Sequence, residues 1–196
     1  MDIPYTVEAR PDTGLINGKI GIWLFLASEV MLFGALFASY ILIRTGAPSW
    51  PRGDSVLNVP LATFNTLVLI SSSVTMVMAW ASLKRHRLGT FRMYMATTIL
   101  LGVVFLVVKY FEYSEHIHAG ELPSHSNFFA IYFTLTGLHM IHVFGGMSVN
   151  AYLLGPGSKL WKTNPEWFTN RVENSGLFWH FVDLVWIFLF PTLYLL

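Results

Sequence analysis

The chain of 196 residues contains no cysteine. Disulfides, zinc–thiolate sites, iron–sulfur clusters and thiol catalysis are thereby excluded. Charge is scarce too. Asp, Glu, Lys and Arg make up only 12% of the residues, against about 25% in an ordinary soluble domain. The net charge is +1 and the basic residues stand in short clusters, not along a stripe, so nothing favours nucleic acid. The start of the chain also lacks the short apolar run and small-residue cleavage site of a signal peptide. Residues 1–19, MDIPYTVEARPDTGLINGK, are polar and hold Pro4, Pro11 and Gly14. They read as an irregular tail that stays on the side where it is made.

Apolar residues fill the space that charge leaves, at 54%, and aromatics reach 16%. Both point to lipid as the solvent, with aromatics for the membrane interfaces. Five stretches are long enough to cross a bilayer as helices, which takes about 20 residues. They run from about Ile20 to Ile43, Leu61 to Leu83, Met93 to Ser114, Phe128 to Leu154 and Asn174 to Leu196. Between them lie connectors rich in helix breakers, such as Gly46, Pro48, Pro51, Gly53 and Pro60, or Gly155, Pro156, Gly157 and Pro165. The expected fold is all-α: residues 20–196 form one bundle of five transmembrane helices behind the tail.

Basic residues set the orientation. With the N-terminal side taken as inside, nine of the twelve lie there, two (Arg44 and Arg52) lie opposite, and Lys109 falls within a span. The positive-inside rule then puts the N-terminus in the cytoplasm and the C-terminus outside.

Ionisable residues inside a bilayer are costly, and they tend to be paired, inward-facing and functional. The sequence places Glu29 in the first span, Lys109 and Glu112 in the third, His139 and His142 in the fourth, and His180 and Asp183 in the fifth. At about 1.5 Å of rise per residue, Glu29 lies roughly 14 Å from the inner end, and His180 and Asp183 roughly 9 and 14 Å. His142 and His139 lie roughly 18 and 22 Å from that end. Serines and threonines of the second and third spans fall in the same half. The expectation is one buried polar network, with Glu29 near its centre and Glu29, His139, His142, His180 and Asp183 as its proton-related candidates. Ser71, Ser72, Ser73 and the small residues of the first span read as helix packing. Lys109 and Glu112, three residues apart on one helix face, read as a snorkelling ion pair that anchors the span at the interface.

Metal ligation is not expected. His139 and His142 share a face but lack further ligands, and the extramembrane His116, His118 and His125 have no regular ligand spacing.

Ordered motifs run through all five spans: WLFLASEVMLFGALFASY at Trp23–Tyr40, FNTLVLISSSVTMVMA at Phe64–Ala79, GVVFLVVKYFEY at Gly102–Tyr113, FTLTGLHMIHVFGG at Phe133–Gly146 and FWHFVDLVWIFLFPTLY at Phe178–Tyr194. Over nearly the whole chain they resemble, in order, the helices of subunit III of the haem–copper terminal oxidases, the cytochrome c oxidase subunit III family. The resemblance implies a core subunit without catalytic residues, haem or copper of its own. In that role it packs on subunit I, where oxygen is reduced to water and protons are pumped, alongside the other subunits and bound phospholipid. It also implies protection of that centre during turnover and support of cytoplasmic proton uptake. By motif match, Glu29 corresponds to the family's carbodiimide-reactive intramembrane glutamate, and Glu112, His139, His142, His180 and Asp183 to its other buried polar positions. Two departures stand out. The first two helices of the seven-helix mitochondrial type are missing, which resembles the five-helix form of bacterial cell membranes. Lys109 stands where many members carry glutamine.

Three further readings compete. Quinol oxidases have a similar subunit, although some carry aspartate at the position of Glu29, which tilts the reading toward cytochrome c. Nitric oxide reductase clusters include a related subunit. A self-contained proton-coupled transporter, of a different class, would usually show broken helices and an inverted repeat.

Overall fold

The computed structural model describes residues 4–124 and 126–196. Their secondary structure is helical, without strands. Five helices are long and apolar enough to cross a membrane: α1 Asn17–Gly46, α2 Val59–Lys84, α3 Leu88–His118, α4 Asn127–Leu154 and α5 Pro165–Phe190. The polypeptide is thus a multi-pass membrane protein of the expected architecture.

Three of the helices begin at a capping residue rather than where the apolar stretch begins. Asn58 accepts from the Leu61 amide and Ser126 from the Phe129 amide, as N-cap side chains do. The largest difference is at α5, which begins nine residues before Asn174. There Asn164 accepts from the Trp167 amide at 3.0 Å and Pro165 takes the first helical position. The connectors also hold short helices at Gly53–Val56 and Leu160–Thr163. The α2–α3 turn is tight enough to hold His86 at a φ of 55°.

α5 is the axis of the bundle and packs against α1, α2 and α4. Its Trp179 donates from Nε1 to Ser72 Oγ at 3.1 Å. The indole occupies space left by two glycines: a Cβ at Gly102 would stand 3.1 Å from it, and one at Gly146 2.9 Å. α1 sits at the edge. Its buried residues are Leu26, Phe33 and Tyr40, one residue every two turns, so a single narrow stripe holds it. Only 11% of its apolar window is buried, against 44% in α4 and α5.

After Phe190 the chain makes a π-helical turn at Pro191–Leu195. Tyr40 Oη donates to Thr192 O at 2.8 Å and Arg44 to Leu196 O at 2.9 Å. Gly53 presses on the same turn: a Cβ there would stand 2.0 Å from Leu193 O.

Candidate functional site

The intramembrane polar residues form separate groups, and this corrects the expectation of one network around Glu29. Glu29 belongs to the edge helix. Its Oε2 lies 2.8 Å from His142 Nε2 of α4, and both side chains are 13% exposed. Phe33 and Phe178 flank the imidazole. His142 Nδ1 lies 2.8 Å from Leu138 O. A carbonyl oxygen only accepts, so Nδ1 is the donor. The link to Glu29 therefore needs a proton of its own: a neutral carboxyl donates to a neutral ring, or an imidazolium donates to a carboxylate.

His139 lies one turn away, and its ring meets side chains of α3 and α5 rather than Glu29. Its ring stacks on Trp186 at 5.3 Å and meets the edge of Phe105 at 5.6 Å. It is fully buried, and neither ring nitrogen has a hydrogen-bond partner among the described residues. His139 and His142 thus share a helix without sharing a site.

His180 and Asp183 form a third group, at the α2–α5 contact. His180 Nδ1 lies 2.6 Å from Ser73 Oγ. Ser73 is therefore more than packing, and sequence alone does not single it out from Ser71, whose hydroxyl donates back to Leu67 O within its own helix. Asp183 is 4% exposed and its carboxyl oxygens have no hydrogen-bond partner among the described residues.

The most completely built group is the one read from sequence as an interface anchor. Lys109 and Glu112 do pair at three residues' spacing, with Nζ to Oε2 at 3.0 Å, but they do not snorkel: their side chains are 0% and 1% exposed. Packing from α4 and α5 closes over α3 at this depth and shuts off the route to the interface. Glu112 Oε1 accepts from Tyr132 Oη at 2.9 Å and from Tyr194 Oη. Lys109 Nζ also bonds Tyr194 Oη and lies 4.7 Å from the centre of the Trp186 ring, 5.0 Å from that of Tyr194 and 5.6 Å from that of Tyr132. An ammonium over aromatic faces is attracted by their quadrupoles. The carboxylate is saturated by charge-assisted and phenolic donors, which is what makes a buried ion pair tolerable. Tyr132, Trp186 and Tyr194 are the residues that sequence reasoning misses. Their one signal is that an i, i+3 ion pair within an apolar run needs donors from neighbouring helices.

Among the described residues no group of three or more His, Asp or Glu is placed to hold a metal ion. His116 instead pairs with Glu121 at 2.6 Å and His118 bonds Ser114. His125 lies outside the described residues.

Beside α1, a groove of about 530 Å³ lies between Ile22, Phe25, Val149, Tyr152 and Phe178, with Arg171 among its lining residues. The Arg171 guanidinium stands 4.5 Å from the centre of the Trp167 ring.

Comparison with known proteins gives a consistent answer. The family model for "Cytochrome c oxidase subunit III" matches residues 11–196. A cytochrome c oxidase subunit 3 from Corynebacterium diphtheriae is 38% identical over 197 residues, 99% of this chain and 94% of the relative. A cytochrome bo(3) ubiquinol oxidase subunit 3 from Pseudomonas aeruginosa is 32% identical over 181 residues, 92% of this chain and 85% of the relative. A protein named heme-copper oxidase subunit I+III, from Aeropyrum pernix, is 31% identical over 185 residues, 90% of this chain and 22% of that longer protein.

Proposed function

The chain belongs to the cytochrome c oxidase subunit III family, the third subunit of haem–copper oxidases, and from that premise we propose how it serves its complex. It packs directly on subunit I of a proton-pumping oxidase that takes electrons from cytochrome c and reduces oxygen to water. It stabilises that subunit and supports proton uptake from the cytoplasm. The haem and copper sit in partner subunits. The complex lies in the inner membrane of a bacterium, with this chain's N-terminus in the cytoplasm.

Several observations support parts of this reading. The joined name of the Aeropyrum pernix relative favours contact with subunit I. The basic residues favour the orientation. Glutamate rather than aspartate at position 29 favours cytochrome c as donor. The ubiquinol oxidase relative keeps the quinol reading as the second one. The groove beside α1 suits a phospholipid, with acyl chain along Phe25 and Phe178 and phosphate on Arg171.

The observation that carries the functional reading is the Glu29–His142 pair. An acid behind an edge helix at that depth is expensive, and its hydrogen bond to His142 supports a proton-related role at the flank of the bundle. We assign it the family's role in sustaining the catalytic centre. Purification of the tagged chain in mild detergent tests the subunit reading: haem bands in the reduced-minus-oxidised spectrum, with oxygen uptake, are expected, and their preferred donor separates the cytochrome c from the quinol reading. A colourless protein that purifies alone would favour the transporter. Glu29→Gln is expected to leave haem content intact and to shorten catalytic lifetime; an unchanged number of turnovers before inactivation would overturn the role of the pair.

A further inference from the structure

A second polar file lies on the far side of α5 from Glu29. A groove of about 220 Å³ between α2 and α5 is lined by Met76, Val77, Trp80, Glu173, Gly176 and His180. Glu173 stands at its mouth, 23% exposed and 2.6 Å from Lys19 Nζ. Lys84 lies over the Trp80 ring at 5.6 Å, so Lys19, Lys84 and Glu173 are the charged groups beside the opening. Along α5, Glu173, His180 and Asp183 share one face, about 10 and 4.5 Å apart along the axis.

Each polar group deeper in the file has unused capacity. His180 commits Nδ1 to Ser73 and lines the groove, which leaves Nε2 for water. Among the described residues, neither the buried Trp80 indole N–H nor the buried Asp183 carboxyl, one turn beyond His180 on the same helix face, has a hydrogen-bond partner. A carboxylate in that condition costs several kcal/mol, whereas a neutral acid, or a carboxylate that water reaches, costs much less. A volume of about 30 Å³ accommodates one liquid water, so the groove has room for a short chain of them. Glu173 and His180, which line it, are polar partners for such waters.

We propose that the α2–α5 groove is a hydrated inlet through which Asp183 takes up and releases a proton. A water at the groove delivers a proton to His180 Nε2. The imidazolium gives its Nδ1 proton to Ser73 Oγ, whose own proton passes through a bridging water to an Asp183 oxygen. One proton leaves the water chain, one carboxylate becomes a carboxylic acid, and the ring ends neutral in the other tautomer. Release reverses the steps.

Infrared spectroscopy of the purified, intact oxidase complex tests this. Asp183→Asn should remove one protonated-carboxyl C=O band while haem content stays unchanged. In the unsubstituted complex that band should shift within minutes of transfer to D2O. Gly176→Leu, which fills the groove, should slow the shift by about tenfold or more. Gly176→Ala is the milder variant, because its Cβ would stand 3.5 Å from Met76 Cε, an ordinary contact. It should slow the shift less and assemble normally, so a failure of the leucine variant to fold leaves the test standing. Absence of any band lost in Asp183→Asn, a shift that takes hours in the unsubstituted complex, or equal rates in all assembled variants would each overturn the inlet. These readouts do not depend on turnover, so they separate the inlet from the role assigned to Glu29.

Discussion

Two acid–base pairs lie deep within this bundle, one between helices and one along a single helix, and they are built in opposite ways. Glu29 and His142 meet through one hydrogen bond at the edge, each 13% exposed. Lys109 and Glu112 meet in the core at 0% and 1%, and two phenols and an indole close around them. A single bond to a marginal helix holds the first pair, whereas donors and ring faces from α4, α5 and the turn that follows α5 enclose the second. The contrast teaches that depth along a span does not set how a buried ionisable group is partnered; the helices packed around it do.

Substitutions can break this contrast, beginning with the core pair. Glu112→Ala leaves the Lys109 ammonium buried without its counter-charge and should cost about 3–5 kcal/mol, read as release of the chain from the detergent-solubilised complex at lower temperature. A Lys109→Met/Glu112→Leu double variant should recover most of that loss, because apolar residues of similar volume replace buried ion pairs well. Failure of the double variant to recover would mean that the pair does more than hold the bundle. Tyr194→Phe removes a donor to Glu112 and should cost about 1–2 kcal/mol in the same assay. Glu29→Gln should cost about 1 kcal/mol or less, since interhelical hydrogen bonds in membranes are weak, and its effect should appear in catalytic lifetime instead. Thermal loss as large as that of Glu112→Ala would erase the distinction between the pairs. Lys19→Met, which breaks a partly exposed pair with Glu173, should change stability by about 0.5 kcal/mol or less.

Hydropathy made the five helices legible, because lipid demands about 20 apolar residues in a row wherever a helix crosses it. The first turns of α5 were hidden for the same reason: Pro165 to Glu173 are polar and amphipathic, and only the cap at Asn164 announces them. The ionisable residues were equally legible one by one, as was the i, i+3 spacing of Lys109 and Glu112. Their grouping was not. His139 and His142 are three residues apart, yet one faces Phe105 and Trp186 while the other faces Glu29, a division set by which helices lie on either side of α4. Ser73 gained its partner from α5, 107 residues away, and Lys109 its bond to Tyr194 from the turn after α5, 85 residues away.

The cage also has a history written into chain order. Glu112 bonds a tyrosine that lies 82 residues further along. During synthesis α3 therefore enters the membrane carrying an ion pair whose enclosure has not yet been made. Until α5 is threaded in, that pair stays short of donors in a medium that offers none. In a chain that ends after α4, Lys109 and Glu112 lack their bonds to Tyr194, which only the turn after α5 supplies.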